Sequence, residues 1–155
     1  MENTLAVAKT MFVMYDEMFQ KKMDEMKMHK LMYFTQRESL IINNDILFSE
    51  YFCGWKYGPV LLSVRNEFHT GRLFSNVNES VSEETKALIR SVLERFGKIS
   101  SWNLSTLSHE ELSWKLSRKG LDSSDNGTTI LSISAMRLDA AREAASRESK
   151  SVTFS

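Results

Sequence analysis

One proline, one cysteine and six glycines in 155 residues leave little material for tight turns, cross-links or phosphate loops. The lone Cys53 excludes an internal disulfide and fits a reducing, cytoplasmic setting. With so few glycines there is neither a P-loop nor a Gly-x-Gly-x-x-Gly element. His29, His69 and His109 lie far apart, and a single cysteine completes no Cys/His metal motif, so neither metal nor cofactor is expected. His109 with Glu111, or Cys53 with His109, could be drawn together as a composite pair, but nothing in their spacing supports it. No catalytic residue is assigned, and the chain does not read as an enzyme. Twenty basic and twenty acidic residues cancel without a basic run, which argues against a nucleic-acid partner. No apolar run approaches the length of a membrane span, and the first residues lack the basic-then-apolar pattern of a secretory leader.

What is present is helical patterning. Apolar residues make up 42% of the chain, enough for the core of one compact, mostly α domain. Ala8, Met11, Phe12, Tyr15 and Phe19 form a stripe within a first helix over residues 4–20, capped by Asn3 or Thr4. Eight of the nine methionines fall in the first 32 residues, mostly at helical spacing, and read as adaptable core filling. A second helix starts after Asp24 and runs to about Ile42, with Met28, Leu31, Met32 and Thr35 on its inner face. His29 and Lys30 fall at its solvated margin. Ser82 opens a helix ending at Phe96, whose Leu88, Ile89, Val92 and Leu93 make the cleanest stripe in the chain. Trp102 sits on a short helical turn. Ser108 and Glu111 match a capping box for a helix ending near Gly120. Residues 128–133 suit a short strand, Ser134 caps a last helix over 135–148, and a frayed tail is expected over 146–155.

The most distinctive stretch is Trp55-Lys56-Tyr57-Gly58-Pro59-Val60, which holds the only proline. Residues 46–57 alternate aromatic with small or polar side chains, as an extended segment or small β-hairpin would. Gly58 permits backbone angles closed to other residues, and Pro59 suits the first position of a third helix running to about His69. Trp55 and Tyr57 are either core anchors or exposed anchors for a partner, and the pattern leaves both open.

Upstream of this turn stands Lys30-Leu31-Met32-Tyr33-Phe34-Thr35-Gln36, and far downstream His109-Glu110-Glu111-Leu112-Ser113-Trp114. This order of blocks resembles the Panacea domain of SocA-like and GepA-like phage-associated antitoxins, over roughly residues 5–145 of a domain taken as 1–145. The resemblance implies neutralisation of a cognate toxin by direct protein binding, or its delivery to a cellular protease. A phage- or prophage-encoded factor that inhibits a host defence protein is the alternative. It also implies that Lys30, Tyr33, Gln36, Trp55, Tyr57, His109, Glu111 and Trp114 serve partner binding, with Gly58, Pro59 and Val60 as the structural turn; Lys56, alternating away from the face of Trp55 and Tyr57, is a further candidate contact. Gly54 and Thr35 stand where the family often has alanine, and Ser113 where proline is common.

Overall fold

A computed structural model describes the backbone of residues 1–154 and the side chains of residues 1–150. Helix α1 (Thr4–Phe19) begins where Asn3 Oδ1 accepts the Ala6 N–H at 3.0 Å, and its Ala8, Met11, Phe12 and Tyr15 are buried. Helix α2 (Glu25–Asn43) is capped by Asp24, whose carboxylate accepts the Lys27 N–H at 2.8 Å. Asn44 ends it in the left-handed conformation that asparagine tolerates, φ 54°. Most of the clustered methionines do fill the core, with Met11, Met14, Met23, Met28 and Met32 all buried.

The one-sided stripe expected of α2 is corrected by its surroundings. Every residue from Lys27 to Leu40 is buried, so His29 and Lys30 are interior residues at 3% and 2% exposure. Segments distant in sequence enclose what would otherwise be a polar face. The polar side chains there find partners: Lys27 Nζ donates to Gly97 O at 2.8 Å, and Glu38 accepts from Arg147 at 2.8 Å.

The aromatic stretch forms a hairpin of β1 (Cys53–Trp55) and β2 (Gly58–Val60), joined by Lys56 and Tyr57. Pro59 is therefore in a strand rather than at a helix start. Opposite it, Gly54 turns its N–H away to Thr129 O at 3.0 Å, so the pair needs no proline N–H. His29 Nδ1 accepts the Leu61 N–H at 3.2 Å, and only then does α3 (Leu62–His69) begin. The strand expected at 128–133 is a single bridge, Cys53 to Ile130.

Helix α4 (Glu83–Phe96) matches its expected bounds, with the Thr85 N–H on Ser82 Oγ at 3.2 Å. Helices α5 (Ser101–His109) and α6 (Leu112–Ser117) overturn the capping box: Ser108 lies inside α5, and Glu111 caps nothing with its side chain. Ser132, not Ser134, caps α7 (Ile133–Phe154), accepting the Ala135 N–H at 3.1 Å. The backbone stays helical past Ser146, while the end of the expected frayed tail lies outside the described side chains. Helix α2 is the axis, packed by α1, α3, α4, α5, α7 and β2.

Candidate partner-binding site

The three sequence blocks converge on α2, but they separate into two places. One is the hairpin. Gly58 has φ 128°, and a Cβ there would stand 2.8 Å from Ser108 Oγ and 3.0 Å from Lys30 Cε. The turn is thus pressed between α2 and α5. Ser105 Oγ donates to Tyr57 O at 3.0 Å, and Trp114 Nε1 donates to Trp55 O at 2.8 Å, which fixes the hairpin from both sides. His109 stacks flat on Trp114, with centroids 4.0 Å apart and planes 7° apart. Its Nε2 is buried without a partner, and burial, then the Lys30 charge, keeps its pKa below the ordinary value.

The other place is a buried polar network between α2, α6 and α7. Tyr33 Oη donates to Asp139 Oδ2 at 3.2 Å and shares a hydrogen bond with Ser113 Oγ at 3.1 Å. Asp139 also accepts the N–H groups of Leu112 and Ser113, at 2.7 and 2.9 Å. Glu111 pairs with Arg37 and, at 3.4 Å, with Arg142. Burial raises the Glu111 carboxyl to about 7 against the pull of Arg37. Gln36 is fully enclosed: its Oε1 accepts the Leu47 N–H at 2.7 Å and its Nε2 donates to Phe48 O at 2.9 Å. Tyr33, Gln36 and Glu111 thus hold the scaffold, and none reaches the surface.

The exposed motif residues gather at the hairpin tip. Tyr57 is 47% exposed, and its ring lies 6.4 Å from that of Trp102, which is 66% exposed. Lys56 places its ammonium 5.3 Å from the Tyr57 ring centre, and the Arg65 guanidinium lies 4.8 Å over Trp55. Beside them an open groove of about 410 Å³ runs between the start of α2 and the hairpin, with Lys30 on its lining.

With this arrangement established, comparison with known families is decisive. The family described as antitoxin SocA-like, Panacea domain, matches residues 28–115. The chain belongs to this family. No curated protein and no solved structure matches it. The matched region of this Panacea-domain chain runs from Met28 in the first turn of α2 through the hairpin, α3, α4 and α5 to Lys115 in α6. The N-terminal helix and α7 lie outside it, yet Asp139 on α7 completes the network around the motif tyrosine.

Trp102, Arg37 and Arg65 stand among the candidate residues in the structure and were missed by sequence reasoning. Arg37 had a signal, since it falls on the helix face of Lys30 and Tyr33, seven and four residues on. Trp102 had none, because nothing local ties α5 to the hairpin. Among the described residues, no three His, Cys, Asp or Glu side chains are placed to share a metal ion. No helix there is long and apolar enough to cross a membrane.

Lys30 yields a pH prediction. Burial lowers its pKa from 10.5 to about 8, so between those values the folded chain binds fewer protons than the unfolded one. The charge penalty is fully present below pH 8 and is relieved as pH rises through this window. Lys30→Met should therefore melt above the wild type at pH 7, and the gap should narrow towards pH 10. A gap that stays constant in paired melts would contradict an ionised buried lysine.

Proposed function

We propose that this chain is an antitoxin that neutralises a cognate toxin by direct protein contact through the hairpin tip. The observation that carries the reading is the exposed Tyr57–Trp102 pair on a rigid base. Tyrosine and tryptophan dominate interface hot spots, and holding them in place before binding lowers the ordering cost. Trp55, Lys56 and Arg65 extend this surface, His109 and Trp114 hold the hairpin from beneath, and Tyr33, Gln36 and Glu111 hold the scaffold to which it is attached. Family membership supports the general role, and the exposed aromatics support where contact is made.

The test is co-expression with the toxic protein encoded beside this chain. The wild type should restore growth and co-purify with the toxin, and it should do so in cells lacking the main ATP-dependent proteases. Rescue that disappears in those cells would replace direct neutralisation with proteolytic delivery. Absence of any toxic neighbour, with capture of a host defence protein instead, would favour the phage-factor reading.

Lys56→Glu gives a second check. Its side chain is half-buried on a two-residue turn with its ammonium over the Tyr57 ring, so the change should alter stability by about 0.5–1 kcal/mol. Toxin binding should weaken by roughly 1–3 kcal/mol if Lys56 meets an acidic group. Near-normal melting with undiminished rescue would remove Lys56 from the contact surface.

A further inference from the structure

Buried charge on α2 is compensated everywhere but at one position. Lys27, His29, Thr35, Gln36, Arg37, Glu38 and Ser39 all make hydrogen bonds or ion pairs within the chain. Lys30, 2% exposed, makes neither among the described residues. Two carboxylates act on Lys30 without bonding it: Asp24 accepts the Lys27 N–H and the Ser101 hydroxyl, and Glu25 meets His29 at 2.9 Å, His69 at 3.3 Å and Arg65 at 3.5 Å. His29 does not add a competing charge. Its Nδ1 accepts the Leu61 N–H while Nε2 faces Glu25, which fits a neutral ring, and burial keeps its pKa low.

The side chain is enclosed while its ammonium keeps a narrow opening to solvent at the groove, and a largely desolvated cation without a protein partner is one that a ligand can complete. Lys30 lines the groove of about 410 Å³ walled by Trp55, Tyr57, Met26 and Val60, with Lys56 and Arg65 also on its lining. The groove gathers three cations against the single carboxylate of Glu25, in a chain whose net charge is zero. Its walls are apolar and aromatic, and its size suits a side chain rather than a folded element.

We infer that this groove is a carboxylate-binding site in which Lys30, at its inner lining, receives an acidic side chain of the protein partner. The aromatic walls would hold the aliphatic stem of an inserted glutamate or aspartate, and Lys30 would supply a charge-assisted hydrogen bond. The hairpin then has two parts in recognition: Tyr57 and Trp102 outside, Lys30 within. This inference rests on the antitoxin reading for the identity of the partner, but the site itself is testable in the free protein.

The test is a titration of isotopically labelled protein, followed by NMR, with three probes. These are N-acetylglutamate N-methylamide for an acidic side chain, N-acetylglycine for a chain terminus, and inorganic phosphate. The blocked glutamate should shift the Trp55 and Tyr57 signals and bind at least tenfold more weakly to Lys30→Met. Preferential binding of N-acetylglycine would overturn the side-chain assignment in favour of a chain terminus, and preferential binding of phosphate would overturn the carboxylate. Equal binding to wild type and Lys30→Met, or no shift with any probe, would overturn the site. Lys30→Met should melt no lower than the wild type, so a lost signal cannot be put down to unfolding. The antitoxin reading stands or falls separately, on growth rescue by the wild type.

Discussion

Glu111→Ala is expected to lower folding stability by about 3–5 kcal/mol, the range for removing one partner of a buried ion pair. The Glu111 and Arg37 side chains are 3% and 6% exposed, so water cannot replace the lost contact. Glu143 is the other carboxylate facing Arg37, at 3.7 Å, and it is too distant to substitute well. Arg37 Nε already lacks a partner, and the substitution would remove the shorter of the two carboxylate contacts to the guanidinium, leaving only Glu143. Glu111→Gln keeps an acceptor for Arg37 and should cost less. Replacing both residues, as Arg37→Met with Glu111→Leu, should recover much of the loss, because no isolated charge then remains. Urea unfolding of the wild type, Glu111→Ala, Glu111→Gln, Arg37→Met, Glu111→Leu and the double variant measures this and closes the cycle. Independent, additive losses for the two positions would mean that the pair is not coupled.

Gly58→Val should be comparably severe, for a different reason. At φ 128° a β-branched residue is strained, which costs about 1–3 kcal/mol. Its Cβ would also press on Ser108 Oγ and Lys30 Cε, adding about 1–3 kcal/mol of overpacking. Gly58→Ala should retain most of both effects. Gly71 has positive φ as well, at 74°, but a Cβ there meets nothing, so Gly71→Ala reports the backbone term alone. Thermal melts should rank Gly58→Val lowest, then Gly58→Ala, then Gly71→Ala. Equal melting of the Gly58 and Gly71 alanine variants would show that the hairpin is not packed tightly on α2 and α5.

Much of the fold was legible because its signals are local. Asn3, Asp24 and Ser82 each cap the helix they precede, and the stripe from Leu88 to Leu93 faces the core as its spacing implies. The hairpin was legible in part. Gly58 needs its special angles, but the role of Pro59 depended on where Gly54 sends its N–H, towards Thr129 some 75 residues away. Polar residues were the least legible. Lys30, Gln36, Arg37 and Glu111 are residue types that usually face water. Gln36 is buried against Leu47, and Arg37 and Glu111 against each other across 74 residues, while Lys30 is enclosed by the hairpin without a bonded partner; no local pattern shows any of this. Ser113, where the family often has proline, illustrates the same point. Its N–H and hydroxyl both join the Asp139–Tyr33 network, so the position is specialised by a contact 26 residues away.

The most direct test of toxin recognition at the hairpin tip is the affinity of the paired variant Tyr57→Ala, Trp102→Ala for the purified cognate toxin. Tyr57 is about half exposed and Trp102 more so, and neither side chain reaches the core, so its melting temperature should stay near that of the wild type. Calorimetric titration should show at least about thirtyfold weaker binding, matching the loss of a hot spot of about 2 kcal/mol or more. Wild-type affinity in a normally folded double variant would contradict recognition at the hairpin tip.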